Sequence, residues 1–310
     1  MINRTTTLNL KGLAIILVIF GHLVTSQVLK IPAEFRYFAT FSVSVFLILS
    51  GYGLTKSYLS NGLKKYTSKR LKSVYIPFFV ANIIIYILWG YKSHNISTLI
   101  KTISFNQFDL AMDGTMWYIY FIAMWYVLFF FIFSMKITNK AKTTILFIIA
   151  GILTQIPTIK EITTISFQFS LHALSFPIGV MLALQTKYDE NKIITIISLS
   201  FSTFLVFYSL LWEKYSFAKY SITVLAFGIA IILIFKTFDI DNKILSFFGK
   251  YSYEAYLVEG MLFWRHFSDN NIIRVCLVYF TIFLCAFLLH HITRLIISII
   301  TKSLPAPKSS

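Results

Sequence analysis

The sequence predicts an all-α fold, a polytopic membrane protein built as a bundle of about ten transmembrane helices. Three observations carry this. The 310 residues are 57% hydrophobic and 18% aromatic. Only 13% are charged, against about 25% in an average soluble domain. Apolar runs also recur along the whole chain, most at the roughly 17–25 residues needed to cross a bilayer.

Taken in order, the segments are 10–28, 36–57, 74–91, 116–135, 142–157, 166–184, 192–212, 219–236, 246–266 and 272–300. The polar stretch before the first is short, and the run is followed by others like it, so it reads as a first spanning helix rather than a cleaved signal. The fifth is short, and Pro157 is expected to end it. The ninth is the most polar, carrying Ser252, Tyr253, Glu254, Tyr256 and Glu259. The longest connection, about 92 to 115, has room for a loop or a short interfacial helix. The expected organisation is one integral membrane domain over 1–303 and a cytoplasmic tail over 304–310.

The formal charge of +16 does not point to nucleic acid, because the cations are scattered between apolar runs and form no basic face. They fit the positive-inside rule instead. Eighteen Lys and Arg fall on one side of the segments and nine on the other, with Arg294 inside the last. That bias puts both termini in the cytoplasm. Cys276 and Cys285 show neither zinc spacing nor a disulfide framework, and no metal site is expected. The two halves show no repeat of the kind transporters carry, and 12 glycines are few for one.

Several stretches can carry chemistry. Lys11 and His22 are eleven residues apart, about three turns plus 20°, so both project from one face of the first helix, with His22 about 16 Å further along and near the membrane midplane. An imidazole in the bilayer either hydrogen-bonds across helices or moves a proton from a hydroxyl. Lys11 is either a snorkelling anchor or a ligand for an anion at the cytoplasmic mouth. Ser50-Gly51 allows close helix packing. Lys64 to Pro77 is the densest basic cluster, with Arg70 and Lys72 its candidate phosphate ligands beside the alternative of a positive-inside loop. Trp117-Tyr118 opens the fourth segment, and His172 is a second intramembrane imidazole. The ninth segment holds two carboxylic acids, and Lys250 and Glu254 are spaced to pair.

These stretches, in this order, resemble the acyltransferase 3 family over nearly the whole chain. Lys11 and His22 match its cation, ten residues, then His. Phe46 to Ser50-Gly51 is similar to its Phe-x-x-Ser-Gly with one residue added, and Lys69-Arg70 through Pro77 resembles its basic run ending in Pro. Trp117-Tyr118 matches a Trp-Tyr opening a central helix. Gly249, Lys250, Ser252, Tyr253, Tyr256 and Leu257 match Gly-Lys-x-Ser-Tyr-x-x-Tyr-Leu-x-His, with Glu259 standing where many members have His. First-helix Lys replaces the commoner Arg, and Ser73 stands where many members have a second Arg.

The resemblance implies an O-acyltransferase, usually an O-acetyltransferase, moving an acyl group from cytoplasmic acyl-CoA (acetyl-CoA) to a hydroxyl of a cell-surface or lipid-linked carbohydrate. Acyl-CoA is then a co-substrate, no cofactor is tightly bound, and the protein sits in the bacterial cytoplasmic membrane. The catalytic candidates are His22 and Glu259, the donor-binding ones Lys11, Arg70 and Lys72. Support falls to Ser50, Trp117, Tyr118, His172, Ser252, Tyr253 and Glu254. The rival expectation is a transporter or flippase of a polyprenyl-linked sugar.

Overall fold

The structure is a computed structural model that describes residues 2–106, 113–159, 164–185, 201, 217–263, 265, 267–268 and 270–303. It is helical, with no strand among the described residues. Among the described residues, seven helical stretches are long and apolar enough to cross a membrane: Arg4–Thr25, Ala33–Asn61, Tyr66–Leu88, Gly114–Ser134, Ser166–Leu184, Tyr220–Thr237 and Asn271–Lys302. They match seven of the ten expected segments. The fifth is a helix that runs two residues past Pro157. The segment 192–212 apart from residue 201, like the tail 304–310, lies outside the described residues. The expected ninth span is two helices, broken at Tyr251. An amphipathic helix running straight into an apolar one averages to the hydropathy of a single span.

The chain divides into two compact units, taken one at a time: Met1–Lys64 with Trp117–Lys250, and Lys65–Met116 with Tyr251–Ser310. The first contains α1 (Arg4–Thr25), α2 (Tyr37–Asn61), α6 (Trp117–Ser134), α7 (Asn139–Ile159), α8 (Thr164–His172), α9 (Ser175–Leu184), α10 (Phe217–Thr237) and α11 (Lys243–Lys250). Helix α1 starts six residues earlier than the hydropathy suggests. Asn3, in extended backbone, caps it by accepting from the Thr6 N–H at 2.7 Å. The polar Asn9 is tolerated inside because its amide is used. Its Nδ2 donates to the Thr5 carbonyl at 3.1 Å, and its Oδ1 accepts from the Asn242 N–H at 3.2 Å. That contact seats the start of α11, where the Asn242 side chain accepts from the N–H groups of Ile244 and Leu245.

Helix α2 is the centre of this unit and packs on α1, α8, α9 and α10. It ends at Gly62, whose φ of +57° a residue with a Cβ adopts only under strain. Without a hydrophobic drive between helices in lipid, close packing holds them together, and small residues permit it. A Cβ on Gly51 would run into the Phe176 carbonyl of α9, and one on Gly179 into the Ile48 carbonyl of α2. Apolar layers fill the rest, with Leu10 and Ala14 of α1 against Val45, Ile48 and Leu49 of α2 and Ile232 and Phe235 of α10. Trp125 of α6 stacks on Phe176 of α9 at 5.2 Å.

The second unit contains α3 (Tyr66–Arg70), a π-type turn over Leu71–Tyr75, α4 (Ile76–Leu88), α5 (Ile96–Ile103), α12 (Ser252–Leu262) and α13 (Asn271–Ser303). Pro77 explains the π turn. It has no N–H for the Ser73 carbonyl and its ring crowds that carbonyl, so the helix widens by one residue there. Helix α13 packs along α12 and α4. Gly260 lets α12 approach the turn that opens Gly114–Met116, where a Cβ would meet the Asp113 carboxylate and the Thr115 hydroxyl. Asp113 Oδ1 accepts from the Thr115 N–H and hydroxyl at 2.9 and 2.7 Å, and the Tyr256 hydroxyl donates to the Thr115 carbonyl.

Candidate active site

Helix α1 is gripped at two glycines, each beside a candidate residue. A Cβ on Gly12 would strike the Leu245 carbonyl of α11, and one on Gly249 the Leu8 carbonyl of α1, so the two glycines form one reciprocal crossing. A Cβ on Gly21 would meet Ala39 of α2 and the Arg36 carbonyl. With Lys11 set at zero, about 100° per residue puts His22 at about 20°, Gly12 at about 100° and Gly21 at about 280°. The Lys11–His22 face therefore lies between the two clamps.

Both side chains are half-buried, and His22 Nδ1 is shielded from solvent. They do not converge. Ile15 and Val18, at most 1% exposed, lie between them on that face. Helix α1 runs from Arg4 to Thr25, so His22 stands in its last turn rather than near its middle.

Four more candidates in the first unit form two contacts. Ser50 of α2 and the Tyr118 hydroxyl of α6 are hydrogen-bonded. Trp117, at the start of α6, stacks on His172 with ring centroids 5.3 Å apart and planes 23° from parallel. His172 is fully buried, and neither ring nitrogen has a hydrogen-bond partner among the described residues. Pro177 places it: without an N–H four residues past Ala173, the chain breaks at Ala173-Leu174 and leaves His172 as the last residue of α8.

The remaining candidates belong to the second unit. Arg70 ends α3 half-buried, and Lys72 in the π turn donates to the Thr301 hydroxyl of α13 at 2.9 Å. The Tyr253 hydroxyl donates to the Val74 carbonyl of the same turn at 2.8 Å. Ser252 is buried in the first turn of α12. Glu259 is fully buried and acts electrostatically on Tyr279 of α13. Glu254 does not share one helix with Lys250, since the chain breaks between them. Its carboxylate meets His290 Nδ1 of α13 at 2.7 Å.

A family described as an acyltransferase domain, acyltransferase 3, matches residues 8–291, from the α1 crossing to one residue past the histidine that meets Glu254. The chain belongs to the acyltransferase 3 family. It is a membrane acyltransferase, and the family match, like the ordered motifs that suggested it, covers nearly the whole chain. No curated protein and no solved structure matches the chain.

Two residues of this acyltransferase escaped the sequence reading. His290 is one. With Nδ1 on Glu254 its ring is oriented, and Tyr251 lies edge-to-face against it at 5.2 Å. A carboxylate-oriented imidazole presenting Nε2 is the arrangement a proton-transfer group needs. The signal was available, since an ionisable side chain inside the longest apolar segment is itself a reason to look. Lys142 is the other. It is 4% exposed, and its ammonium donates to the Tyr58 hydroxyl at 2.9 Å and the Phe133 carbonyl at 3.3 Å, with both rings about 5 Å away. Counted as a topological charge, it is instead a buried pin joining α2, α6 and α7.

Proposed function

We propose that the protein is an O-acyltransferase that moves an acyl group, acetyl in the simplest case, from acyl-CoA to a hydroxyl of a cell-surface or lipid-linked carbohydrate. The observation that carries this is His22. In a chain of this family it lies on the face of α1 between two glycine crossings, with Lys11 on the same face. Arg70 at the end of α3 and Lys72 in the turn shaped by Pro77 serve as ligands for the donor's phosphates by charge-assisted hydrogen bonds, and Lys11 is the first unit's own candidate for a phosphate ligand.

His22 takes the proton from the acceptor hydroxyl as its oxygen attacks the thioester carbonyl carbon. The tetrahedral intermediate collapses with loss of the C–S bond. The leaving thiolate then takes the proton back from the imidazolium, giving the ester and free coenzyme A. Trp117 and His172, Ser50 and Tyr118 keep the first unit's helices in register. Glu259 and the Glu254–His290 pair are the second unit's candidates for a proton-handling role. In this reading the protein lies in the bacterial cytoplasmic membrane with both termini inside.

Membranes containing His22→Ala are assayed for thiol release from acetyl-CoA and for acyl groups on the surface polymer. Both fall by about 10²–10⁴-fold if His22 is the base. Unchanged acylation with His22→Ala removes the assignment. A chain that moves a lipid-linked sugar across the membrane without consuming acetyl-CoA would be a flippase.

A further inference from the structure

Helix α13 differs from side to side over its last turns. With His290 set at zero, about 100° per residue puts Thr301 at about 20°, Arg294 at about 40° and Ser298 at about 80°. Leu288, Ile292, Leu295 and Ile299, all exposed, fall between about 140° and 200°. The aliphatic side is the one that suits lipid. Arg294, Ser298 and Thr301 are exposed too, but they form a stripe on the other side. An arginine in a spanning helix belongs away from hydrocarbon, in polar surroundings or on a substrate path.

The stripe is held at both ends by other elements of the second unit. At one end Lys72 of the π turn donates to the Thr301 hydroxyl at 2.9 Å. At the other, Glu254 of α12 meets His290 Nδ1 at 2.7 Å. With an Nδ1–H on that carboxylate, His290 Nε2 is an acceptor, and it is buried with no hydrogen-bond partner among the described residues. His290 and Thr301 are eleven residues apart, about 16 Å along the axis. The arm of coenzyme A between its diphosphate and its sulfur is about 13 bonds long, or about 16 Å at the roughly 1.2 Å per bond of an extended chain. It carries amide carbonyls along its length and an amide N–H close to the sulfur. A snorkelling arginine needs no such alignment. A simple tie between α12 and α13 explains Glu254 and His290 but not why Arg294, Ser298 and Thr301 continue their line.

We propose that this stripe of α13 is the track of the donor's arm, with the diphosphate at the Lys72–Thr301 end and the sulfur end at His290. Lys72 holds the phosphate by charge-assisted hydrogen bonds, Arg294 donates to the arm's amide carbonyls, and His290 Nε2 accepts from the amide N–H near the sulfur. Glu254 is the positioning residue that fixes the His290 ring. The identity of the ligand rests on the acyl-transfer reading, whereas the stripe and its length do not.

The test uses the full chain purified in an uncharged detergent. Coenzyme A and pantetheine, which has the arm without the phosphates, are titrated by calorimetry, and thiol release is followed with acetyl-CoA and S-acetylpantetheine. Lys72→Gln should weaken coenzyme A by about tenfold and leave pantetheine unchanged. Arg294→Gln and His290→Asn should each weaken both ligands by a similar factor, about tenfold. Asn at 290 keeps an N–H near the Nδ1 position for Glu254, so the helix tie survives and only the Nε2 acceptor is lost. Lys136→Gln, exposed in the first unit, should change neither ligand. If His290→Asn does not fold, Arg294→Gln carries the same comparison. Wild-type affinities in Arg294→Gln and His290→Asn, or a loss confined to coenzyme A, overturn the proposal. Thiol release from acetyl-CoA with a wild-type KM in those variants refutes the stripe and leaves acyl transfer standing. Binding of coenzyme A that these variants weaken, without thiol release in the wild type, refutes acyl transfer and leaves the stripe standing. A wild type that binds neither ligand refutes both.

Discussion

The α1–α11 crossing makes a prediction that can be sized from the structure. In Gly249→Ala the new methyl would be driven into the Leu8 carbonyl, a backbone atom that cannot swing aside as a flexible side chain could. The two helices must part, and overpacking of this kind costs about 1–3 kcal/mol. Against this stands the better helix propensity of Ala, at most about 1 kcal/mol and less near a helix end. The net effect is a loss of about 1–2 kcal/mol. Gly53→Ala in the same protein is the control. A Cβ there meets nothing within 4 Å, so only propensity acts and stability should rise by about 0.5–1 kcal/mol. Denaturation by sodium dodecyl sulfate in mixed micelles, followed by circular dichroism, measures both. Because Gly12 and Gly249 meet each other's helix at one crossing, parting the helices for one methyl makes room for the second. Gly12→Ala with Gly249→Ala should therefore cost less than the sum of the singles, with a coupling of about 0.5–3 kcal/mol. Gly249→Ala at or above wild-type stability, or strict additivity of the pair, would refute the close crossing. Acyl transfer should fall with the same variants, since Lys11 adjoins the crossing.

The remaining predictions concern the pinned charges. Glu254→Ala removes the partner of His290 Nδ1 and should cost about 1.5–3 kcal/mol in the same denaturation assay, whereas His290→Gln, which can still donate to Glu254, should cost less. Lys142→Met keeps the volume but strands the Tyr58 hydroxyl and the Phe133 carbonyl, so a loss of about 1–3 kcal/mol is expected with thiol release from acetyl-CoA per folded molecule unchanged. Trp117→Leu removes the stack on His172 and should cost about 0.5–1.5 kcal/mol beyond the lost area, and Trp117→Phe, which keeps an aromatic face, about half as much.

What the sequence discloses depends on how local the cause is. The spanning segments are legible because a bilayer demands an unbroken apolar run, and a run is visible in any window of twenty residues. The face shared by Lys11 and His22 is legible for the same reason, as helical spacing is a property of the chain alone. The ninth segment is where this logic fails. Residues 243–250 form a helix with one polar side, packed on α1 through Gly249, and averaging them with the apolar helix that follows hides the break. The start of α1 is misjudged because it is decided by a side-chain cap and by Asn9 reaching α11, neither of which changes hydropathy.

The pairings are the least legible part. Glu254 and His290 are 36 residues apart in the chain, and nothing in either neighbourhood selects the other. A buried ionisable group in an apolar helix announces that it must have a partner without saying which. The spacing of Lys250 and Glu254 offered a false one, because an i,i+4 pairing presumes a continuous helix. Three-dimensional closeness chose His290, and that choice turns an isolated acid in the ninth segment into the orienting half of a dyad. The functional question at Glu254 thereby extends to His290 Nε2, a buried atom with no hydrogen-bond partner among the described residues.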